Sequence, residues 1–293
     1  MITGIIRLIV MLLIISNACF ASSVAYNKLR TNGTVAHVTT IDLNNPDIRV
    51  SVALAKGGRG SSESFKSIIK RTQPAAAITG TFFCTKSFIP TGDIALFGTI
   101  VHKGSHGSAL CIDSKNKAQI VPLSTGRKTD WDGFETVLCA GPSILSNGKI
   151  SLALKHEGFR QSLYTSTRRT AVGITKSGKL VFVAINRNVT LYKIARVMLS
   201  IGVKDALCLD GGSSTAFYSN GSVIASPSRS LTNLLVVYKN PTDYYNQKYN
   251  LVPQKLMAKA EALAENRHKM RISLDNAKQS LAINSIASLA LQN

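Results

Sequence analysis

An apolar run stops at an acid in Leu207-Cys208-Leu209-Asp210, and Gly211-Gly212-Ser213-Ser214-Thr215 follow directly. The stretch Asp205–Leu209 predicts a buried strand that delivers the Asp210 carboxylate to a sheet end. The two glycines permit backbone torsions and close ligand approach that a Cβ forbids. The amides of Gly211 and Gly212 and the hydroxyls of Ser213 and Ser214 then offer hydrogen bonds to phosphate or sugar oxygens. Asp210 is the candidate catalytic carboxylate. A lone Asp-Gly-Gly more often marks a turn whose acid caps its own backbone, so the reading rests on the surrounding order of motifs.

Other chemistries lack their residues. There is no Gly-x-Ser-x-Gly elbow, Walker loop or dinucleotide fingerprint, which removes serine esterase, nucleotide hydrolase and dehydrogenase readings. His102 and His106 are four apart, but Lys103-Gly104-Ser105 and Gly107 break the helix that would make that spacing ligand-like. One acid beside hydroxyls is a weak hard-cation site for calcium or magnesium. No metal or other cofactor is therefore expected. A second carboxylate stays open: Asp93 follows Thr91-Gly92, Glu157 precedes Arg169, and neither spacing establishes proximity to Asp210.

The elements that must position Asp210 read as an α+β fold, mostly antiparallel sheet with few packed helices. Thr34–Leu43 and Ile48–Ala55 form a strand-turn-strand unit about Asn44-Asn45-Pro46-Asp47. A short helix over Ser62–Lys70 ends before Pro74, and Ala75–Phe83 returns as a buried strand. Short strands fill Gly92–Val121. Ser146-Asn147-Gly148 and Asn220-Gly221 are hairpin turns, and Thr170–Thr175 pairs with Leu180–Ile185. Leu191, Ile194, Ala195, Met198 and Ile201 keep helical spacing after a Thr190 cap, with Gly202 at the exit. Leu231–Tyr238 is the closing strand.

Three regions follow from composition. Residues 1–21 hold one charge, Arg7, then the apolar block Leu8–Ile15 and small residues at 19 and 21, which reads as an export signal. Its block is shorter than the roughly 20 apolar residues of a membrane span, although an uncleaved anchor is the alternative. Residues 22–240 are the main domain. Residues 241–293 are a tail, helical from Gln254 to Leu291, where Gly and Pro are absent. The remaining cysteines, Cys84, Cys111, Cys139 and Cys208, allow disulfides in an oxidising compartment or four buried free thiols, and the sequence favours neither. A formal charge of +20 points to anionic partners. For an exported protein these are phosphorylated glycans or envelope polyanions, with envelope attachment possible. Nucleic acid is not expected, because the basic residues are scattered without aromatic interleaving.

In order along the chain, Ile78-Thr79-Gly80-Thr81-Phe82-Phe83, Cys139-Ala140-Gly141-Pro142-Ser143-Ile144-Leu145-Ser146-Asn147-Gly148, Arg169-Thr170-Ala171-Val172-Gly173, Leu207 to Thr215, and Arg229 with Asn233 resemble five motifs of the phosphodiester glycosidase family. The likeness runs from about Val35 to Tyr238. Two positions depart from it. Thr79 replaces the family's Asn before glycine, and Ile185-Asn186-Arg187 replaces its Asp-Gly-Arg. The resemblance implies an exported hydrolase that cleaves sugar-1-phosphodiesters of phosphorylated glycans. The alternative is a non-catalytic glycan or polyanion binder on the same fold. Arginines must hold the phosphate in forked hydrogen bonds, and a carboxylate must serve the oxocarbenium-like centre. Asp210 takes the second role and Arg169, Arg229 and Arg187 the first. Thr79, Gly80, Gly211, Gly212, Ser213, Ser214 and Asn233 complete the expected substrate site.

Overall fold

The computed structural model describes residues 22–124, 129–263, 265–266, 269–270 and 272–273. The expected signal at 1–21 and the far part of the tail, from 274 onward, lie outside them. β1 (Val24–Thr31) and β2 (Thr34–Ile41) form a hairpin. Its turn, Asn32-Gly33, has positive φ at both residues, the geometry that matches strand twist. The chain then crosses on two side-chain-capped turns, Asn44 N–H donating to Asp42 Oδ1 (3.2 Å) and Asp47 N–H to Asn45 Oδ1 (2.9 Å). It enters β3 (Arg49–Leu54). The expected strand-turn-strand unit is thus two real strands that never pair.

Helix α1 (Phe65–Thr72) starts at Ser64, whose Oγ accepts from Ser67 N–H at 3.2 Å. Gln73 ends it in the left-handed region, φ 44°. The strand expected over Ala75–Phe83 is only β4 (Ala76–Thr79). It stops where Gly80 comes up against Asn233, and Thr81 to Phe83 become loop. β5 (Ile94–Leu96), β6 (Thr99–His102), β7 (Ala109–Asp113), β8 (Ala118–Val121) and β9 (Phe134–Cys139) follow, then the hairpin β10 (Ser143–Ser146) and β11 (Lys149–Ile150). β12 (Thr167–Thr175) and β13 (Leu180–Val189) pair next. Thr190 Oγ1 caps α2 (Leu191–Ser200) by accepting from Lys193 N–H, which leads through Gly202 into β14 (Val203–Leu209). β15 (Phe217–Ser219), β16 (Ser222–Ala225), β17 (Asn233–Tyr238), α3 (Pro241–Asn246) and α4 (Lys248–Leu251) complete the named elements. Residues 254–263 are helical.

Among the described residues the strands form three antiparallel sheets. The seven-stranded sheet runs β1-β2-β13-β12-β14-β10-β11, and the five-stranded ones run β16-β15-β4-β17-β3 and β6-β5-β9-β7-β8. Alternation divides the large sheet's side chains between two cores. Val172, Phe182, Leu207 and Leu209 face a core shared with Ile78, Leu235, Leu110 and Leu138 of the smaller sheets. Ala171, Val183 and Cys208 face Ile194, Val197 and Met198 of α2. Gly173 is required there, because a Cβ would lie 2.5 Å from Val203 and 2.7 Å from Met198. Tyr244, Leu251, Met257 and Ala260 join the first core, so the near part of the tail packs on the domain. No described helix is long and apolar enough to cross a membrane.

All four described cysteines are free thiols. Cys111, Cys139 and Cys208 are buried and Cys84 is exposed. No disulfide forms among these four, and the alternative of four buried thiols fails at Cys84, which sits on the loop after Phe83.

Candidate active site

Strand β14 carries Leu209 into the core and releases the chain at Asp210, where two sheets meet. The Asp210 N–H donates to Gly80 O at 3.1 Å, linking the end of the large sheet to the residue after β4. Thr170 Oγ1 donates to Asp210 O, and Gly211 N–H donates to Asp210 Oδ1 at 2.9 Å. Gly211 lies against β12: a Cβ would sit 2.7 Å from Arg168 O and 3.6 Å from the Arg169 Cα. The next three residues, Gly212–Ser214, form one 3-10 turn, in which Gly212 has φ 58°.

Asn233, the first residue of β17, locks the other half. Its Oδ1 accepts from Thr81 N–H at 2.8 Å and its backbone oxygen from Gly80 N–H at 3.2 Å. A Cβ on Gly80 would fall 1.9 Å from that Oδ1, which is why glycine stands there. Thr79 N–H donates to Ala216 O (3.1 Å). Its side chain is 1 % exposed. The substitution of Thr for the family's Asn therefore lies in the packed base of the site.

Burial pushes the Asp210 carboxyl up to about 6, opposed by the Ser214 hydroxyl, the Gly211 N–H and the Arg229 charge. Such a group changes protonation just below neutrality, as acid-base and nucleophilic roles require. Arg229 is exposed on the Ser226–Ser230 loop. That loop is tied to the acid's own turn by Ser228 N–H donating to Ser213 O (2.9 Å).

The three candidate arginines separate. Arg169 is 2 % exposed, and its Nη2 donates to Leu163 O (2.6 Å) and Thr165 O (2.5 Å) while Nε donates to Val189 O (3.3 Å). It braces the 160–165 loop. Arg187 is exposed in an outward bulge, where β13 runs from Ile185 to Val189 while β12 advances only from Thr167 to Arg169. Asn186 and Arg168 from the same region reach Ile224 O (3.4 Å) and Ser226 O (3.3 Å), which sets Arg187 beside the Arg229 loop. Asp210, Gly80, Asn233, Gly211, Ser213, Ser214 and Arg229 thus converge, with Arg187 at the margin.

The two open carboxylates are both engaged elsewhere. Asp93 accepts from Gly104 N–H (2.7 Å), Trp131 Nε1 (2.7 Å) and Lys103 Nζ (3.4 Å). Glu157 is buried and accepts from Ser108 Oγ (2.5 Å) and Ser143 N–H (3.0 and 3.1 Å), while burial holds its carboxyl above the usual range. His102 Nε2 meets Pro90 O (2.8 Å). No group of three metal-ligating side chains occurs among the described residues.

Sequence reasoning missed three hydroxyls. Thr170 fixes the backbone of the acid, and its place in the Arg-Thr-Ala motif was the available signal. Thr81 Oγ1 and Thr215 Oγ1 are buried without a hydrogen-bond partner, each next to a residue that holds Asp210.

A family model for phosphodiester glycosidases matches residues 72–238, from the end of α1 to the end of β17 and more than half of the chain. The chain belongs to the phosphodiester glycosidase family. The matched segment contains Asp210 and every residue described around it. No curated protein matches in sequence. Among solved structures, a hypothetical protein from Synechocystis is similar, with TM-score 0.62 and 16% identity over 73% of this chain, which spans 61% of that protein's length. The zebrafish N-acetylglucosamine-1-phosphodiester alpha-N-acetylglucosaminidase catalytic domain, auto-inhibited by its pro-peptide, gives TM-score 0.59 and 20% identity over 73% of this chain and 82% of that one. At these identities the likeness is one of fold, and it places the chain with phosphodiester-glycosidase-like, mostly antiparallel proteins.

Proposed function

We propose that this phosphodiester glycosidase family member is an exported hydrolase of sugar-1-phosphodiesters, acting on phosphorylated glycans or envelope polymers. The observation that carries the reading is the Asp210 carboxyl, half-buried at a strand end with its pKa pushed up to about 6 and the exposed Arg229 acting on it. Arg229 holds the phosphate. Ionised Asp210 serves the oxocarbenium-like centre at C1. The C1–O bond to phosphate breaks, the phosphomonoester leaves with the bonding pair, and water supplies the hydroxyl to C1 and a proton to the products. A phosphomonoester is a weak base, so its departure needs little protonation, which lowers the demand for the second, acidic carboxyl that ordinary glycosidases use. Asp93 and Glu157 being engaged elsewhere fits that economy.

The same engagement also favours a second reading, a non-catalytic glycan or polyanion binder on this fold. Incubation with a panel of sugar-1-phosphodiesters separates the two. Release of free sugar with a phosphomonoester, lost by about 1000-fold (about 4 kcal/mol of barrier) in Asp210→Asn, supports the hydrolase. No release, with Asp210→Asn binding the panel as wild type does, supports the binder. The leader-like residues 1–21 support export, and detection of a mature chain beginning near residue 22 outside the cytoplasm tests it.

A further inference from the structure

Between the first turn of α1 and the Ser226–Ser230 loop lies a cavity of about 500 Å3, walled by Ser64, Lys66, Ser226, Ser228, Arg229 and Ser230. No carboxylate lines it. Its volume exceeds the needs of a single phosphate and falls within the range of about 300–1,000 Å3 typical of sites that take a whole small molecule. Its two cations stand on different elements. Arg229 belongs to the loop bonded to the acid's turn through Ser228 and Ser213, and its charge acts on Asp210. Lys66 rises from α1, exposed and without an ion pair among the described residues. Serine hydroxyls between them suit a hydroxylated ligand, and Phe65 with Pro227 gives it an apolar floor.

We propose that this cavity is the leaving-group subsite and that it selects a phosphorylated polyol or sugar with a second anionic centre, Arg229 meeting the scissile phosphate and Lys66 the distal one. The inference rests on the hydrolase reading for which side of the substrate sits here, but its test does not require turnover. Two N-acetylglucosaminyl phosphodiesters, one of glycerol and one of glycerol phosphate, are titrated by calorimetry into the full chain carrying Asp210→Asn. The expected result is about tenfold tighter binding of the doubly charged ligand. That preference collapses to near parity when Lys66→Ala is added and returns with Lys66→Arg. Equal affinities, no binding of either ligand, or a preference that survives Lys66→Ala overturns the proposal, the last because it would come from the general positive charge. Wild-type hydrolysis is assayed in parallel. Failure to release sugar from either ester counts against the hydrolase and leaves the binding preference as a separate result.

Discussion

Asp210 is held where its charge is costly, and that cost has a sign. Its folded pKa of about 6 lies above the ordinary carboxylate value, so between roughly pH 4 and 6 the folded protein binds more protons than the unfolded chain. Stability contributed by this group therefore falls as pH rises through that window, by on the order of 2–3 kcal/mol. Asp210→Asn should raise the melting temperature at pH 7 and change it little at pH 4, which paired thermal melts would reveal. Hydrolysis should move oppositely, climbing from pH 4 to a plateau above about 6.5, because the carboxylate is the working form. A bell with its maximum below pH 5 would contradict that assignment. Gly80→Ala should cost about 3 kcal/mol through overpacking, since the new methyl would overlap Asn233 Oδ1; chemical denaturation measures it. The acid was legible because an apolar run broke at it. Arg169 was not, because no linear pattern reveals that carbonyls from Leu163, Thr165 and Val189 converge on one guanidinium.

At the scale of elements, Arg169 joins β12 to the 160–165 loop. Arg169→Met should leave the buried Val189 carbonyl and the less buried Leu163 and Thr165 carbonyls without their donor and cost about 2 kcal/mol, with faster amide exchange confined first to that loop. Thr190→Ala, which removes the α2 cap, should cost about 1 kcal/mol without altering KM. The helix itself was readable from apolar spacing over Leu191–Ile201. Strand β1 was not, because its exposed run from Asn27 to Arg30 destroys the period-two signal, and pairing with β2 alone makes it a strand. The β4 strand was read too long for a related reason. Thr81 to Phe83 are as strand-like as the residues before them, and only the close approach of Asn233 ends the ladder. The crossing between β2 and β3 shows the same limit, since a turn signature marks where the chain bends and not which sheet receives it.

Over the whole molecule, a formal charge of +20 surrounds the site proposed to take a phosphodiester. KM for a phosphodiester should rise severalfold between 50 mM and 500 mM salt, as the screening length drops from above 10 Å toward 3 Å, while kcat holds. Initial rates at fixed pH test this. The fold class was legible from strand and turn spacing; the division into three sheets was not, since it depends on pairings such as β3 with β17 that span most of the chain. One such long-range link is the bond from the Asp210 amide to Gly80 O, the point where the seven-stranded sheet touches the loop after β4. If the sheets slide apart by even one bond length, the acid loses its footing before either sheet melts. The deuterium uptake of that single amide is therefore a built-in gauge of assembly: it reports what fraction of molecules, at any temperature or denaturant, has its two halves in register and its site intact.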